Sequence, residues 1–359
     1  MTSTGEYAVL DNLIKQNRSF AIYRLPGETS SCFVMQRTKM PQVFQTVEEL
    51  NGASGFVVAP FRVTPKSPVV LICPDCTSLA DVSLDKSGNT PEVTMTEEEA
   101  VQNTEKTTYA LLFKDFKRTL LTGELDKIVL SRNRNIIRDT SFSAGQTYFN
   151  ATQKYPHSYV YLFHTPQSGT WLGSTPEILL SGQGFQWKTV ALAGTQFPNS
   201  GTMIWDKKNR EEQEIVSSYL KEQLSAFRIV PQIDGPYTVK AGELAHLRTD
   251  FNFQFPEIAQ LGTLLHLLHP TPAVSGFPKE AAYQFILEHE KCDRLYYTGF
   301  LGMLEPLKKT DIYVNLRCMH IQKSSLTLFA GGGLLASSSL EEEWEETEQK
   351  LKTMLKILS

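Results

Sequence analysis

The order of patterns along the sequence predicts a mixed α+β fold. Strand patterns follow one another in hairpin order, and helical patterns are interspersed among them. A doubly wound parallel sheet would instead require strands and helices that alternate regularly. The chain has 359 residues, of which 41% are hydrophobic, so it has enough apolar sequence for one large or two ordinary domains.

The first hundred residues are predicted to be rich in strands. Short apolar runs between turn residues predict strands at residues 31–36, 55–59 and 69–72. Residues 81–96 are polar and contain Gly88 and Pro91, which indicates an internal linker. A helix is predicted over residues 97–121, with an apolar face formed by Tyr109, Leu112, Phe113 and Phe116.

The remainder of the chain mixes strands with helices. Further strands are predicted at residues 127–132, 159–164, 170–173, 177–181 and 185–194. Helices are predicted at residues 207–227 and on either side of a loop at residues 269–276. Two long strands, at residues 311–321 and 325–329, are predicted to be joined by a turn at Lys323 and Ser324.

The C-terminal segment combines a glycine loop with a charged helix. Three consecutive glycines, 331–333, let backbone approach a ligand closely, and serines 337–339 followed by glutamates predict a helix start with a capping box. An apolar stripe follows at Trp344, Leu351, Met354, Leu355 and Leu358. Glu343, Glu346 and Lys350 border it. These features indicate a site for a hard cation and an anionic ligand, and an ordinary charged helix is the alternative.

Charge and hydropathy exclude several classes of partner. The net charge is -4 and there is no long basic run, so we expect no nucleic-acid partner. No stretch approaches the roughly 18 apolar residues of a membrane span, and the N-terminus lacks a basic-then-apolar signal segment. We therefore expect a cytoplasmic protein with no membrane partner.

Cys73 and Cys76 form a C-x-x-C pair after an apolar run. A redox pair would be followed directly by a helix, whereas the next residues are polar and rich in turn formers. A zinc site would need a second pair, which the sequence lacks. We interpret both cysteines as structural.

Glu212 is a charged residue on an apolar helical face. Ile215, Val216 and Tyr219 lie three, four and seven residues further on, whereas Glu211 and Glu214 point elsewhere. A carboxylate on a buried face needs a partner, a proton or a metal. The alternative to a functional role is a buried salt bridge.

Three further charged residues occupy unusual positions. Lys127 opens a predicted strand on the same face as Val129, although a strand-end lysine that reaches solvent is the alternative. Glu177 lies at a turn that leads into an apolar run. Arg317 lies within the predicted long strand, where its guanidinium suits bidentate recognition of a carboxylate.

Seven motifs resemble those of the chorismate-utilising enzymes, and most closely those of the isochorismate synthases among them. In chain order they are Lys127-Ile-Val-Leu-Ser-Arg132, Gly173-Ser-Thr-Pro-Glu177, Ala191-Leu-Ala-Gly-Thr195, Leu268-His-Pro-Thr-Pro-Ala273, Asn315-Leu-Arg317, Ala330-Gly-Gly-Gly333 and Glu343-Trp-Glu-Glu-Thr-x-x-Lys350. They extend over residues 97–359, whereas residues 1–96 carry no family motif. The resemblance implies a single chorismate-binding domain over residues 1–359, in which the N-terminal part completes the fold. It implies large antiparallel sheets packed in layers with helices outside.

The resemblance also implies the ligands and the residues that bind them. The substrate would be chorismate and the cofactor Mg²⁺. Glu212 and Glu346 match the metal carboxylates of the family, with Glu343 close by. Mg²⁺ usually takes only one or two protein carboxylates and keeps several waters. Arg317 matches the residue that binds the pyruvyl carboxylate, and the other substrate contacts match Gly194, Thr195, Ala273, Gly331 and Lys350.

Lys127 matches the catalytic base of the family and Glu177 its acid. In the implied reaction, water is added at C2 of chorismate and the C4 hydroxyl is lost from the opposite side of the ring. The base must be a neutral lysine and the acid a protonated glutamate, against reference pKa values of about 10.4 and about 4.3. Burial shifts both values in the required direction, whereas a nearby cation opposes the shift of the glutamate.

Lys127 also bears on the branch of the family. Members that use ammonia generally lack this lysine, which argues against an anthranilate synthase. Aminodeoxychorismate synthases and salicylate synthases keep it, but the loop from His269 to Ala273 favours isochorismate synthase over both. The sequence departs from the family pattern at Gln213, Asn209 and Phe197, where histidine, aspartate and arginine are common. An inactive chorismate-binding subunit would be expected to have lost the acid, the base or a metal carboxylate, and all are present.

Overall fold

The computed structural model describes residues 3–82, 104–196, 204–241 and 244–358. Seven helices lie in these ranges: α1 (Ser3–Lys15), α2 (Lys106–Thr122), α3 (Ala144–Lys154), α4 (Lys207–Ala226), α5 (Leu261–Leu268), α6 (Lys279–His289) and α7 (Leu340–Leu355). None of these seven combines the length and apolar character that a bilayer crossing requires.

The strands of the described ranges form two antiparallel sheets. They are β1 (Phe20–Arg24), β2 (Cys32–Met35), β3 (Gln42–Phe44), β4 (Gly55–Ala59), β5 (Val69–Ile72), β6 (Lys127–Ile137), β7 (Tyr159–Thr165), β8 (Gly169–Thr175), β9 (Ile178–Gln183), β10 (Gln186–Gln196), β11 (Gln232–Ala241), β12 (Leu244–Gln254), β13 (Gly276–Phe277), β14 (Phe300–Leu304), β15 (Lys309–Val314), β16 (Cys318–Ile321) and β17 (Ser325–Leu334). One sheet has eight strands in the order β13-β6-β17-β16-β8-β7-β1-β2. The other has nine, in the order β11-β12-β10-β9-β15-β14-β4-β5-β3.

The two sheets pack face to face through aromatic side chains. Tyr159 of the eight-stranded sheet stacks on Tyr313 of the nine-stranded sheet, with ring centroids 4.2 Å apart. Tyr23 and Phe56 meet across the same interface at 5.5 Å. Because side chains alternate along a strand, the next residue of β7, Val160, faces the helical layer of α1, α3 and α7. Both faces of this sheet are therefore buried.

Helices cover the outer faces of both sheets. Apolar residues of α1, α3 and α7 pack on the eight-stranded sheet, and α4 and α5 pack on the nine-stranded one. Helices α2 and α6 cover β6. The predicted α+β fold with layered antiparallel sheets and outer helices is thereby confirmed.

The predicted long strand at residues 311–321 is wrong. The structure contains two strands there, β15 in the nine-stranded sheet and β16 in the eight-stranded sheet. The chain passes from one sheet to the other at residues 315–317, where Arg317 has a left-handed backbone with φ 45°. Apolar residues on both sides of this crossing are buried, so the sequence pattern continues through the break. The spacing of apolar residues therefore did not reveal that the chain changes sheets here.

Other predicted boundaries also differ from the structure. Helix α2 begins only at Lys106, and residues 83–103, which include most of the predicted linker, lie outside the described residues. Phe197 and the loop around it, residues 197–203, also lie outside them. Hairpin β11–β12 was not predicted, because β11 is an almost fully exposed edge strand interrupted by a bulge at residues 234–237.

The start of α7 is not the predicted capping box. Ser339 is the N-cap residue, but its side chain accepts no hydrogen bond from the helix backbone. Its hydroxyl donates to the carboxylate of Glu342 at 2.8 Å instead, and the hydroxyl of Ser338 donates to Glu343 at 2.7 Å. The serine cluster therefore positions glutamate side chains at the first turn of the helix.

Cys73 and Cys76 form no disulfide. The Cys76 thiol donates to the carbonyl of Ser78 at 3.3 Å, and the backbone of Cys76 pairs with Met35. Within the described ranges, no three histidine, cysteine or acidic side chains lie together as a three-ligand metal cluster.

Candidate active site

A cleft lies where both sheets and two helices meet. It is lined by backbone of β10 and β17, by side chains from α4, α7 and β12, and by the loop around Ala273. Eight of the predicted site residues line it: Glu177, Gly194, Thr195, Glu212, Ala273, Arg317, Gly331 and Lys350. The other three are outside this lining. Lys127 and Glu346 are linked to it by ion pairs with Glu212 and Lys350, and Glu343 pairs with Lys208 nearby.

Lys127 is fully buried at the start of β6. Its Nζ lies 2.9 Å from Oε1 of Glu212 on α4, so the strand and the helix are joined at the cleft. The alternative of a strand-end lysine that reaches solvent is excluded by this burial. Glu212 correspondingly has a salt-bridge partner, while Glu211 and Glu214 are exposed, as the helical phasing predicts.

The triple glycine leaves room for these charged groups. A Cβ on Gly333 would collide with Oε1 of Glu212 and approach Cε of Lys127. A Cβ on Gly332 would stand 2.7 Å from Oε2 of Glu343. Glycine is therefore required here because carboxylates from two helices lie against the backbone of β17.

Glu177 is a buried carboxyl group next to several cations. Burial raises its pKa to about 8, although Arg317, Lys127 and Lys350 each act to lower it. The amide of Val314 donates to the carbonyl of Glu177 at 2.9 Å and fixes the backbone at the start of β9. At neutral pH this carboxyl group therefore carries a proton and can donate it.

Arg317 lies in the crossing between β15 and β16, and its half-buried side chain lines the cleft. Burial lowers its pKa, against the opposing effects of Tyr297, Glu346 and Glu177. Across the described ranges, no carboxylate oxygen comes within 4.0 Å of this guanidinium. Its donors are thus available for an anionic ligand.

Each of the three predicted metal carboxylates is paired with a lysine. Glu212 binds Lys127 at 2.9 Å, Glu346 binds Lys350 at 2.5 Å, and Glu343 binds Lys208. Burial alone would lower the pKa of Lys208, but the three carboxylates raise it above its ordinary value. One half-buried ammonium is thus stabilised by all three acidic groups. In the described structure these carboxylates do not form a three-ligand cluster, but an acidic environment of this kind suits a Mg²⁺ ion that keeps several of its waters.

The carboxyl group of Glu343 differs from the other two. It is fully buried, and burial together with Glu346 raises its pKa to about 7 despite Lys208 and Ser338. Its Oε2 has no hydrogen-bond partner among the described residues. An orphaned buried oxygen beside the other acidic groups fits a site that receives a further cation or a water.

The sequence profile of the chorismate binding enzymes matches residues 18–359. The chain belongs to this family. It is 34% identical over 267 residues to isochorismate synthase EntC of Escherichia coli, covering 70% of this chain and 67% of the relative. It is 30% identical over 255 residues to isochorismate synthase DhbC of Bacillus subtilis, covering 66% of this chain and 64% of the relative, which is just under two thirds of the relative's length.

Solved structures of the family have the same fold. The putative 2,3-dihydroxybenzoate-specific isochorismate synthase of Bacillus anthracis has a TM-score of 0.79 at 22% identity, covering 100% of this chain and 99% of that one. The menaquinone-specific isochorismate synthase MenF of Escherichia coli has a TM-score of 0.78 at 22% identity, covering 98% and 91%.

In this chorismate-binding enzyme, a β-bulge presents Gly194 to the cleft. The register between β10 and β12 shifts there, and Gly194 has φ 71°. Asn209 accepts a hydrogen bond from the amide of Thr195 at 2.8 Å, and Gln213 accepts one from the amide of Ala193 at 2.9 Å. Asn209 and Gln213, the two residues of α4 that depart from the family pattern, therefore stabilise the bulge.

Sequence reasoning missed Lys208 and His246. Lys208 lies four residues before Glu212 on the same helical face, which was a usable signal. His246 lies on the unpredicted strand β12, with Nδ1 2.9 Å from the carbonyl oxygen of Gly194. Burial lowers the pKa of His246 to about 3, so the ring is neutral, and its Nε2 has no partner in the described structure. His246 lines the cleft, and Lys208 lies beside it among the three carboxylates.

Proposed function

We propose that this chain is an isochorismate synthase, an isomerase that converts chorismate to isochorismate. The similarity to curated isochorismate synthases supports this reaction. The observation that carries the proposal is the pairing of a protonated acid, Glu177, with a buried lysine, Lys127, at one cleft. Adding a hydroxyl at C2 and removing one at C4 needs both groups.

Glu177 acts as the general acid in the proposed mechanism. Its proton passes to the C4 hydroxyl, which then leaves as water when the C4–O bond breaks. Burial keeps the carboxyl group protonated at neutral pH, so that the proton is present when the leaving group takes it. The carboxylate formed is then stabilised by Arg317 and the two lysines that act on it.

Lys127 acts as the general base. The ion pair with Glu212 describes its ammonium form, which must first release a proton to solvent. The neutral Nζ then removes a proton from the water that attacks C2 and becomes an ammonium ion again. The contact with Glu212 fixes the position of Nζ and stabilises the ammonium product. One water enters and one leaves, so the reaction is an isomerisation, and proton exchange restores both residues.

Arg317 and Mg²⁺ would bind the two carboxylates of chorismate. The guanidinium of Arg317 suits the pyruvyl carboxylate, because its fork matches carboxylate geometry. Glu212 and Glu346 would hold Mg²⁺, with Glu343 nearby, and the bound ion would neutralise the ring carboxylate. The remaining contacts are assigned to Gly194, Thr195, Ala273, Gly331 and Lys350, which line the cleft.

The test is an assay of the purified protein with chorismate and Mg²⁺, in which products are separated and identified. We expect isochorismate, formed without any amine donor. Accumulation of salicylate and pyruvate would indicate a salicylate synthase, and a requirement for ammonia would indicate an aminodeoxychorismate synthase. Binding of chorismate without turnover would indicate an inactive member of the family.

A further inference from the structure

Strand β6, which carries Lys127, is paired with a neighbouring strand along only part of one of its edges. Along its other edge it pairs with β17 from Ile128 to Ile137. On the incomplete edge, the two-residue strand β13 pairs only with Lys127 and Ile128. Beyond β13, the carbonyl of Val129 and the amide of Ser131 have no neighbouring strand in the described part of the sheet.

Two buried side chains take the place of the missing strand. Nη2 of Arg294 donates to the carbonyl of Val129 at 2.9 Å, and Oε1 of Glu290 accepts from the amide of Ser131 at 2.6 Å. Arg294 and Glu290 are themselves joined by two bonds, Nε–Oε2 at 2.5 Å and Nη2–Oε1 at 2.9 Å. The ion pair therefore supplies one donor and one acceptor to β6, as a paired strand would.

The same guanidinium also binds the loop that neighbours β6 at the cleft. Nη1 of Arg294 donates to the carbonyl of Val274 at 2.7 Å, in the loop that presents Ala273. Val129, Ala273 and Val274 all line the cleft. The amide of Val129 also donates to the carbonyl of Ser275 in this loop at 2.7 Å. Arg294 thus extends the link between the strand that carries Lys127 and the loop beyond the point where direct backbone pairing ends.

We propose that Glu290 and Arg294 are positioning residues, which hold Lys127 and the Ala273 loop in register for the reaction. This inference rests on the proposed function. The pair is costly as a simple stabilising element, because both side chains are only 2% exposed and buried ions lose their hydration. Apolar residues of similar size would often stabilise a fold equally well, but they would leave the backbone groups of β6 without partners.

The decisive variant replaces both charges with uncharged side chains of similar length, Glu290→Met together with Arg294→Met. It leaves no unpaired buried ion, so we expect it to fold. We expect kcat to fall by about tenfold to hundredfold, the usual effect of a misplaced catalytic group, while KM for chorismate changes much less. Amide hydrogen exchange in residues 127–133 should become faster, measured by mass spectrometry.

The matched control is Arg24→Met. Arg24 is a buried arginine that donates to the carbonyls of Thr152, Tyr155 and Ser158, and none of these residues lines the cleft. We expect this variant to lower Tm without lowering kcat. A second variant, Arg294→Lys, keeps the charge but cannot reach both carbonyls, so it should lower kcat even if the double variant does not fold.

Unchanged kcat in the double variant, or in Arg294→Lys if only that one folds, would overturn the proposal. If the wild-type protein does not convert chorismate, the proposed function has failed, and hydrogen exchange then decides this inference separately. Faster exchange in residues 127–133 of the folded variant supports positioning of β6, and unchanged exchange overturns it.

Discussion

At the residue scale, the carboxyl group of Glu177 illustrates a balance between burial and charge. Three cations act to lower its pKa, yet burial raises it to about 8. The sequence allowed this residue to be identified as an acid by resemblance. The sequence did not show how deeply the carboxyl group of Glu177 is buried. Arg317 and Lys350, which line the same cleft, come from distant segments of the chain that only the fold brings together.

The pH dependence follows from the raised pKa of Glu177. The acid is protonated below its pKa of about 8 and ionised above it, so kcat/KM should fall as pH rises through about 8. The measurement is kcat/KM for chorismate across pH 6 to 10, a range set by that pKa with roughly two units on each side. A value that keeps rising above pH 8 would show that an ionised Glu177 is the active form.

Substitution of the acid and the base should affect turnover more than binding. Lys127→Ala and Glu177→Gln should each lower kcat by about 10²–10⁴-fold, the usual contribution of a positioned proton-transfer group. KM should change far less, because the substrate carboxylates are assigned to Arg317 and the metal. Steady-state kinetics measure both quantities. Weakened binding with normal kcat would mean that the residue only positions substrate.

At the element scale, helix α4 presents Glu212 to the cleft from a mainly apolar face, and α7 presents Lys350, which is paired with Glu346. The 3.6-residue period placed Glu212 correctly, since Val216, Tyr219 and Leu220 are buried beside it. The same kind of pattern failed at residues 311–321. Residues on both sides of Arg317 are buried in either sheet, so burial continues while the direction of the chain changes. The spacing of apolar residues shows which positions are buried, but it does not show to which sheet a strand belongs.

The two faces of α4 provide a matched test of the metal assignment. Glu212→Ala and Glu346→Ala should each abolish Mg²⁺-dependent activity, because both carboxylates are assigned to the ion. Glu211→Ala and Glu214→Ala should be mild, since these side chains are exposed. The measurement is activity titrated with Mg²⁺, together with Mg²⁺ binding by calorimetry. Equal losses at positions 211 and 212 would contradict the ligand assignment.

At the scale of the whole molecule, the N-terminal residues contribute to both sheets. Strands β1 and β2 belong to the eight-stranded sheet, and β3, β4 and β5 to the nine-stranded one. The sequence predicted a strand-rich segment here, but no motif indicated how it divides between sheets. Pairing partners such as β1 with β7 are far apart in the chain, and local patterns carry no information about them.

Removing residues 1–96 should therefore prevent folding, although all the predicted site residues remain. The truncated chain would expose the edges of β7 and β14 and lose part of the aromatic layer between the sheets. Circular dichroism and thermal unfolding of the 97–359 fragment would test this. A stable fragment with a cooperative transition would show that the motif-bearing part is a domain on its own.

The left-handed backbone at Arg317 has a consequence for how this position tolerates mutation. Glycine and asparagine adopt positive φ more readily than arginine does, so the backbone and the ligand-binding guanidinium favour different amino acids. In a saturation library at position 317, sorting for thermal stability should enrich glycine and asparagine, whereas sorting for turnover should retain arginine. Selection for thermal stability and selection for catalysis would then favour different amino acids at position 317.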